Sequence, residues 1–259
     1  MITINQIGHP KNGRFGNTLF LYCLGKALAR KFNTELLVPK TWIGLQIFNI
    51  EDKIVDNSEV LPNTKFDEIP EFDNLNLFGY YQYQDAIDLY SVDDVRNWLK
   101  FKPEVLKAWK RPHPNYVAIH QRLSDYLELS NLYCIPNTMS YYTALDKVNI
   151  SKDTKVFWVS DGLDGSNEIN WVNDFLTLAH SNILIRANST FSWWSALFGN
   201  INKEIWSPLV EDSVGLSRVD FVKGNWPKMA SPKVHSTRLT DLHLKGMNLE
   251  NSINVEQQK

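Results

Sequence analysis

The sequence has little of what marks several classes of protein. Cysteine occurs only twice in 259 residues, as Cys23 and Cys134, far apart, with Cys23 inside an apolar helical pattern. Two distant cysteines cannot staple a small scaffold, so both are expected to be reduced thiols. There is no CxxC, and the six histidines show no HExxH spacing, so no metal site is expected. Charge of one sign is not in excess: 27 Lys+Arg stand against 29 Asp+Glu, a formal net charge of -2. That balance is too even to neutralise a phosphate backbone, and nucleic acid is not an expected partner. No run approaches the ~20 apolar residues of a membrane span. The opening Met1-Ile-Thr-Ile-Asn-Gln6 has no basic patch followed by an apolar stretch, so no secretory signal is read there. The expectation is a cytoplasmic protein, with peripheral membrane contact left open.

Nucleotide motifs are also missing. There is no GxxxxGK[ST] loop and no GxGxxG, which argues against a P-loop enzyme and against a dehydrogenase on a similar sheet. No DxD follows a strand. Glu71-Phe-Asp73 sits in a loop beside Pro70, and a metal-held diphosphate ordinarily needs such carboxylates.

What is present is enough to build a core: 43% hydrophobic and 22% charged residues exclude wholesale disorder. The length allows one large domain or two small ones. The nine tryptophans read first as core packing and second as sugar platforms. Ile2–Gln6 reads as a strand, followed by a glycine loop, and then Phe20, Cys23, Leu24, Ala27, Leu28 and Phe32 recur at helical spacing. Glu35–Val38 reads as a strand stopped by Pro39. Residues 40–75 read as irregular, and Leu77–Tyr83 as an aromatic strand. Ser91 and Asp94 form a capping-box variant opening a helix toward Phe101. Lys110-Arg-Pro-His-Pro114 reads as a linker.

The second half alternates more regularly: strands at Tyr116–Arg122, Lys155–Ser160, Ile183–Ala187 and Glu204–Ser207, and helices at Ser140–Val148, Trp171–His180 and Phe191–Phe198. Such alternation predicts a doubly wound α/β sheet. Beyond about residue 212 the pattern weakens, and Gly246–Lys259 reads as a polar tail. The boundaries drawn are therefore 1–112, 113–212, and an extension over 213–259.

Ligands of open parallel sheets bind outside the carboxyl ends of the strands. Three sets of residues fall there: His120-Gln-Arg-Leu-Ser-Asp-Tyr126, Ser160-Asp161-Gly162, and Asn188-Ser-Thr-Phe-Ser-Trp-Trp194. Arg122 is a planar, permanently charged fork suited to phosphate oxygens. Asn188, Ser189 and Thr190 open a helix, where free N–H groups and the dipole favour an anion. The plainer alternatives are an Arg122–Asp125 ion pair, a Ser189 that is only an N-cap, and a His120 that is a core residue.

Several of these segments resemble one known family. Gly13-Arg-Phe-Gly-Asn-Thr-Leu-Phe-Leu-Tyr-Cys-Leu-Gly-Lys-Ala-Leu-Ala29 is similar to the opening Gly-x-Gly-Asn helix of the α-1,2-fucosyltransferases (glycosyltransferase family 11). Phe78-Gly-Tyr-Tyr-Gln82 resembles their Gly-Tyr-aromatic-Gln segment. His120-Gln-Arg-Leu-Ser-Asp-Tyr126 resembles their His-x-Arg-Arg-Gly-Asp-Tyr. Val159-Ser-Asp161 is similar to their Ser-Asp-Asp, and Asn188-Ser-Thr-Phe-Ser-Trp-Trp194 is nearly verbatim. The matches run in order from residue 13 to about 208. The chain differs at Leu123, Ser124 and Gly162, where the family has Arg, Gly and a second Asp.

The resemblance implies a glycosyltransferase-B-like α/β fold of two Rossmann-like halves. Residues 1–112 would be the acceptor side and 113–212 the donor half. It implies inverting, metal-independent transfer of L-fucose from GDP-β-L-fucose, with no further cofactor, to a hydroxyl of an oligosaccharide or glycan acceptor. His120 and Asp161 would lie near guanine, and Arg122 would hold the diphosphate. Ser189, Thr190 and Phe191 would contact phosphate beside Asn188, Asn17 would face the cleft from the other half, and Gln82 would touch substrate. Asp125 is the candidate base for the acceptor hydroxyl. The alternatives are a different GDP-sugar or linkage, and a non-catalytic protein that binds sugar nucleotides or glycans.

Overall fold

The computed structural model describes residues 1–8, 14–56, 61–128, 130–131, 133–160, 171–210 and 213–223; of Ser124 and Asp125 it describes the backbone alone. The polar tail and Asp161 lie outside the described residues.

Two parallel sheets organise the chain. The first lies in a segment that runs β1 (Ile2–Thr3), α1 (Phe15–Lys31), β2 (Leu36–Pro39), β3 (Phe48–Asn49), β4 (Lys53–Val55) and β5 (Leu75–Asn76), with β3 outside the sheet. Its strand order is β4-β2-β1-β5, every pair parallel. Pro39 lies inside β2, opposite Val55, and does not stop it; Lys40 N–H donates to the Val55 carbonyl and continues the ladder past the proline. Three short helices follow, α2 (Gln84–Ile87), α3 (Val92–Trp98) and α4 (Pro103–Ala108). Helix α3 opens on the expected capping box, with Asp94 N–H donating to Ser91 Oγ and Ser91 N–H to Asp94 Oδ2. Between α3 and α4, β6 (Lys100–Phe101) pairs antiparallel with β3.

The second sheet holds β7 (Tyr116–Gln121), then, after α5 (Ser124–Glu128), β8 (Cys134–Pro136) and α6 (Thr138–Lys147), β9 (Lys155–Ser160). It continues through α7 (Trp171–Ala179), β10 (Ile183–Ile185), α8 (Thr190–Ser195) and β11 (Glu204–Pro208). Two strands follow where the sequence pattern weakens: β12 (Gly215–Ser217) and β13 (Phe221–Lys223). The order is β13-β11-β10-β7-β9, parallel except for β13, while β12 pairs with β8 outside the sheet. These last two are three residues each, too short to show a period.

Leu77–Tyr83 is not a strand. Gly79 (φ 148) and Tyr81 (φ 53) both have positive φ, and the Tyr80 and Tyr81 N–H groups donate to Asp67 Oδ1 at 2.5 and 2.7 Å instead of to a neighbouring strand.

One hydrophobic cluster spans both halves. Helix α1 buries 13 of its 17 residues, because apolar side chains cover most of its circumference rather than one stripe. It packs on the first sheet through Leu24, Ile4 and Leu36, and the same cluster takes in Phe175, Trp193, Trp194 and Leu197 of the second half. Phe20 meets Trp193 and Trp194 at 4.7 and 4.8 Å between ring centroids. Trp42, Trp193 and Trp194 are fully buried, so for these three the core reading holds. Cys23 and Cys134 are free and buried.

Lys203 secures the far end of that junction. Its buried Nζ donates to the carbonyls of Leu178, Ser195 and Phe198 at 3.3, 2.9 and 3.0 Å. Three ammonium protons thus meet three acceptors at the ends of α7 and α8, where the dipoles favour a cation.

Beside it, His180 packs its ring on Trp109 at 4.8 Å. Burial, with Lys203 and then Arg111 adding, holds its pKa down at about 4. An unfolded His titrates near 6.5, so between those values the unfolded chain binds the extra proton. Stability is therefore full above pH 6.5 and is lost as pH falls toward 4. His180→Phe, which keeps the stacking, is expected to flatten this slope in chemical denaturation measured from pH 7 to 4.

Candidate active site between two helix amino termini

The strands deliver the candidate residues to one edge. His120 is the fifth residue of β7, 3% exposed, its ring 5.6 Å from that of Phe191. Strand β7 ends at Gln121, so Arg122 lies just past the carboxyl end rather than within the strand. Its guanidinium lies over the Tyr126 ring at 5.5 Å, and Tyr126 stacks on Tyr133 at 4.5 Å with an interplanar angle of 11°. A planar cation on an aromatic face is both attracted and held flat. This stack was not read from the sequence. Tyr126 is one turn beyond Arg122, a spacing that would have hinted at it, whereas Tyr133 comes from outside the motif. Asp125 lies within α5; its side chain, like Asp161, lies outside what is described. Ser160 ends β9, and its buried hydroxyl has no hydrogen-bond partner.

The turn from β10 into α8 is built by small polar residues, as a buried turn needs local partners for its backbone. Asn188 is buried; its Nδ2 donates to the Cys134 carbonyl at 3.1 Å, while its Oδ1 is buried without a partner. Ser189 is the N-cap of α8, accepting from Phe191 N–H at 3.3 Å. Phe191 is half-buried and packs on Phe175 and Phe15.

The first half meets this turn at the start of α1. Thr190 Oγ1 donates to Asn17 Oδ1 at 2.9 Å. One residue earlier, a Cβ on Gly16 would lie 2.7 Å from the Phe191 backbone nitrogen, so only glycine lets the two helices approach this closely. The sequence reading missed that role. The first turns of α1 and α8 therefore meet, Gly16 and Asn17 against Thr190 and Phe191. Neither helix carries an acidic residue in its first turn. Two partial positive poles with Arg122 on the same edge favour a polyanion over a neutral ligand.

A further arginine was missed. Arg186, directly after β10, is fully buried; its Nε donates to Ser207 Oγ at 2.8 Å, and burial pulls its pKa down to about 9. Among the described residues no cluster of three or more His, Cys, Asp or Glu could hold a metal ion, and no helix is long and apolar enough to cross a membrane. Gln82 lies apart from these residues in sequence, in the turn after β5, and is 3% exposed.

No protein-family model matches the chain, and no curated protein does. Among solved structures, the chain is similar to the fucosyltransferase NodZ from Bradyrhizobium, at TM-score 0.52 and 13% identity, over 86% of this chain and 98% of that one. Two further NodZ structures match at TM-score 0.53 and 12% identity, over 86% of this chain. One is of the α-1,6-fucosyltransferase soaked with GDP-fucose, covered over 99% of its length, and the other is co-crystallised with GDP, covered over 98%. At this identity the likeness is one of architecture alone: the chain shares the fold seen in NodZ.

Proposed function

We propose that the chain is an inverting glycosyltransferase that moves L-fucose from GDP-β-L-fucose to a hydroxyl of a glycan acceptor, with a glycosyltransferase-B-like division into an acceptor half and a donor half. The observation that carries this reading is the meeting of α1 and α8, two helix amino termini free of carboxylates, beside Arg122. NodZ, whose fold the chain shares, has been crystallised with GDP and soaked with GDP-fucose, which supports the same donor here.

In the reaction, the acceptor oxygen forms a bond to the anomeric carbon while the bond from that carbon to the β-phosphate oxygen breaks. The electron pair leaves on the diphosphate, and the hydroxyl proton passes to a base, for which Asp125 is the candidate. The transition state carries new negative charge on the bridging oxygen. Arg122 and the N–H groups at the start of α8 would stabilise it more than the ground state, which is what lowers a barrier. With these groups supplying positive charge, no divalent ion is required. His120 and Asp161 are assigned to guanine, Ser189, Thr190 and Phe191 to the phosphates beside Asn188, and Asn17 and Gln82 to the facing wall. Linkage is α-1,2 by the motif resemblance. A different GDP-sugar is the second reading, favoured by Leu123, which is buried at 7% exposure where the family has a second arginine.

GDP is expected to raise the melting temperature in excess EDTA and UDP to leave it unchanged, as a ligand that binds only the folded state shifts stability by mass action. Equal shifts would remove the guanine assignment. Stabilisation that appears only with Mg²⁺ or Mn²⁺ would remove the metal-independent one.

A further inference from the structure

Charge is even over the whole chain and uneven along it. Lys100-Phe-Lys-Pro-Glu-Val-Leu-Lys-Ala-Trp-Lys-Arg111 holds five basic side chains and one acidic, in a molecule of formal net charge -2. Ion pairs do not absorb this excess: Lys100, Lys102, Lys107 and Lys110 form none among the described residues.

The segment is a fixed platform. Helix α4 runs through its middle, and none of that helix's residues is buried. Its inner side is pinned: Lys102 N–H donates to the Ile47 carbonyl at 2.9 Å, Val105 packs against the first core, and Trp109 packs on His180. Its outer side carries Leu106, 39% exposed, beside the exposed Lys107 and Lys110. A merely solvated face alternates its charges in sign. A face of one sign with a large apolar side chain set in it has the composition of an interfacial surface.

The platform ends at the amino end of the second sheet. Arg111 donates to the His113 and Pro114 carbonyls just before β7 begins. Lys155 N–H donates to the Asn115 carbonyl, where β9 begins. Lys152 and Lys155 are exposed there and add to the positive charge, against Asp153 alone in that turn. The candidate site lies at the other end of these strands, and the six residues of β7 separate the two ends by roughly 20 Å.

Nucleic acid and a charged bilayer both offer phosphates to lysine. Leu106 separates them: a phosphate backbone gives an aliphatic side chain nothing to enter, whereas the boundary between headgroups and acyl chains takes it. We infer that the 100–111 segment docks the molecule on an anionic phospholipid bilayer, Lys107 and Lys110 meeting headgroup phosphates and Leu106 entering the boundary, with the candidate site turned away from the surface. This docking is independent of which reaction the site performs.

Co-sedimentation of the full chain with vesicles tests it, using phosphatidylglycerol–phosphatidylcholine vesicles and pure phosphatidylcholine vesicles, with anisotropy of a labelled single-stranded RNA as the rival polyanion. At low salt the protein is expected on the anionic vesicles and not on the neutral ones, and to leave them as added salt shortens the screening length. A lysine near an anionic surface is worth roughly fivefold in partitioning, so Lys107→Gln with Lys110→Gln should lose roughly 25-fold. Leu106→Gln should lose roughly threefold. All three side chains are exposed, so the melting temperatures should match the wild type's. Absence from anionic vesicles, equal capture by neutral ones, or partitioning unchanged in the double lysine variant overturns the docking. So does RNA binding that is tighter than vesicle binding and indifferent to Leu106→Gln, which would assign the segment to nucleic acid.

Discussion

Arg122→Lys is expected to lose roughly a hundredfold in turnover, about 3 kcal/mol of transition-state stabilisation, while its melting temperature stays within a degree or two of wild type. Lysine keeps the charge but not the two-pronged plane. The stack explains why the plane matters: the guanidinium lies over Tyr126, which is itself stacked on Tyr133. An ammonium would rest on the same ring as a point charge, free to turn away from the second oxygen. If Arg122 only braced α5, the lysine variant would work nearly normally, and Arg122→Ala would lose stability before turnover. Turnover and melting temperature of both variants, measured side by side, decide between these accounts.

Gly16→Ala is expected to destabilise by about 2 kcal/mol, the overpacking range, and to lower the melting temperature by roughly 4–8 °C for a domain of this size. Replacing glycine by alanine within a helix ordinarily gains up to about 1 kcal/mol, so the sign alone is diagnostic. At Gly16 the new methyl meets backbone, 2.7 Å from the Phe191 nitrogen and 2.8 Å from the Thr190 carbonyl carbon. Backbone cannot rotate aside, so α1 and α8 must separate, and the Asn17–Thr190 hydrogen bond is strained with them. Gly25, in the same helix, is the control. A methyl there meets the end of the Leu36 side chain at 2.9 Å, a flexible group that can yield. Gly25→Ala should therefore lie within about 1 kcal/mol of neutral. Equal effects at the two glycines would show that the contact with α8 is not what Gly16 serves.

The regular part of the molecule was legible because it obeys single periods. Strands β7, β9 and β11 lie within a residue or two of where apolar runs place them, and α1 was visible in its apolar spacing. The candidate edge was legible for the same reason: once the strands are found, their carboxyl ends follow, and His120, Arg122 and Asn188–Phe191 come with them. Tertiary partners defeated the reading elsewhere. The aromatic run 77–83 has the composition of a strand, but Asp67, ten or more residues earlier, captures its amides. Strands β3, β5 and β6 have two residues each and exist only as pairings. Gly16 looks like one more loop glycine until α8 is placed against it, and Arg186 looks like a surface residue until its burial is seen.

The shared core sets an order of assembly. Helix α1 joins its hydrophobic partners only across a long span of chain: Asn17 meets a residue 173 positions later. A ribosome that has released residues 1–112 has released the strands of the first sheet, but not Trp193, Trp194 or Phe175, which cover the other side of α1. The emerging segment would carry Phe20 without Trp193 and Trp194 until α8 arrives, and Phe15 with Phe48 but without Trp171, Phe175 and Phe191, the state in which nascent chains recruit chaperones or aggregate. Folding through such distant contacts is slow for its size, because the loop must close before the contact is gained. Residues 1–112 expressed alone would be a sticky fragment and not a domain, although the sheet within it is complete.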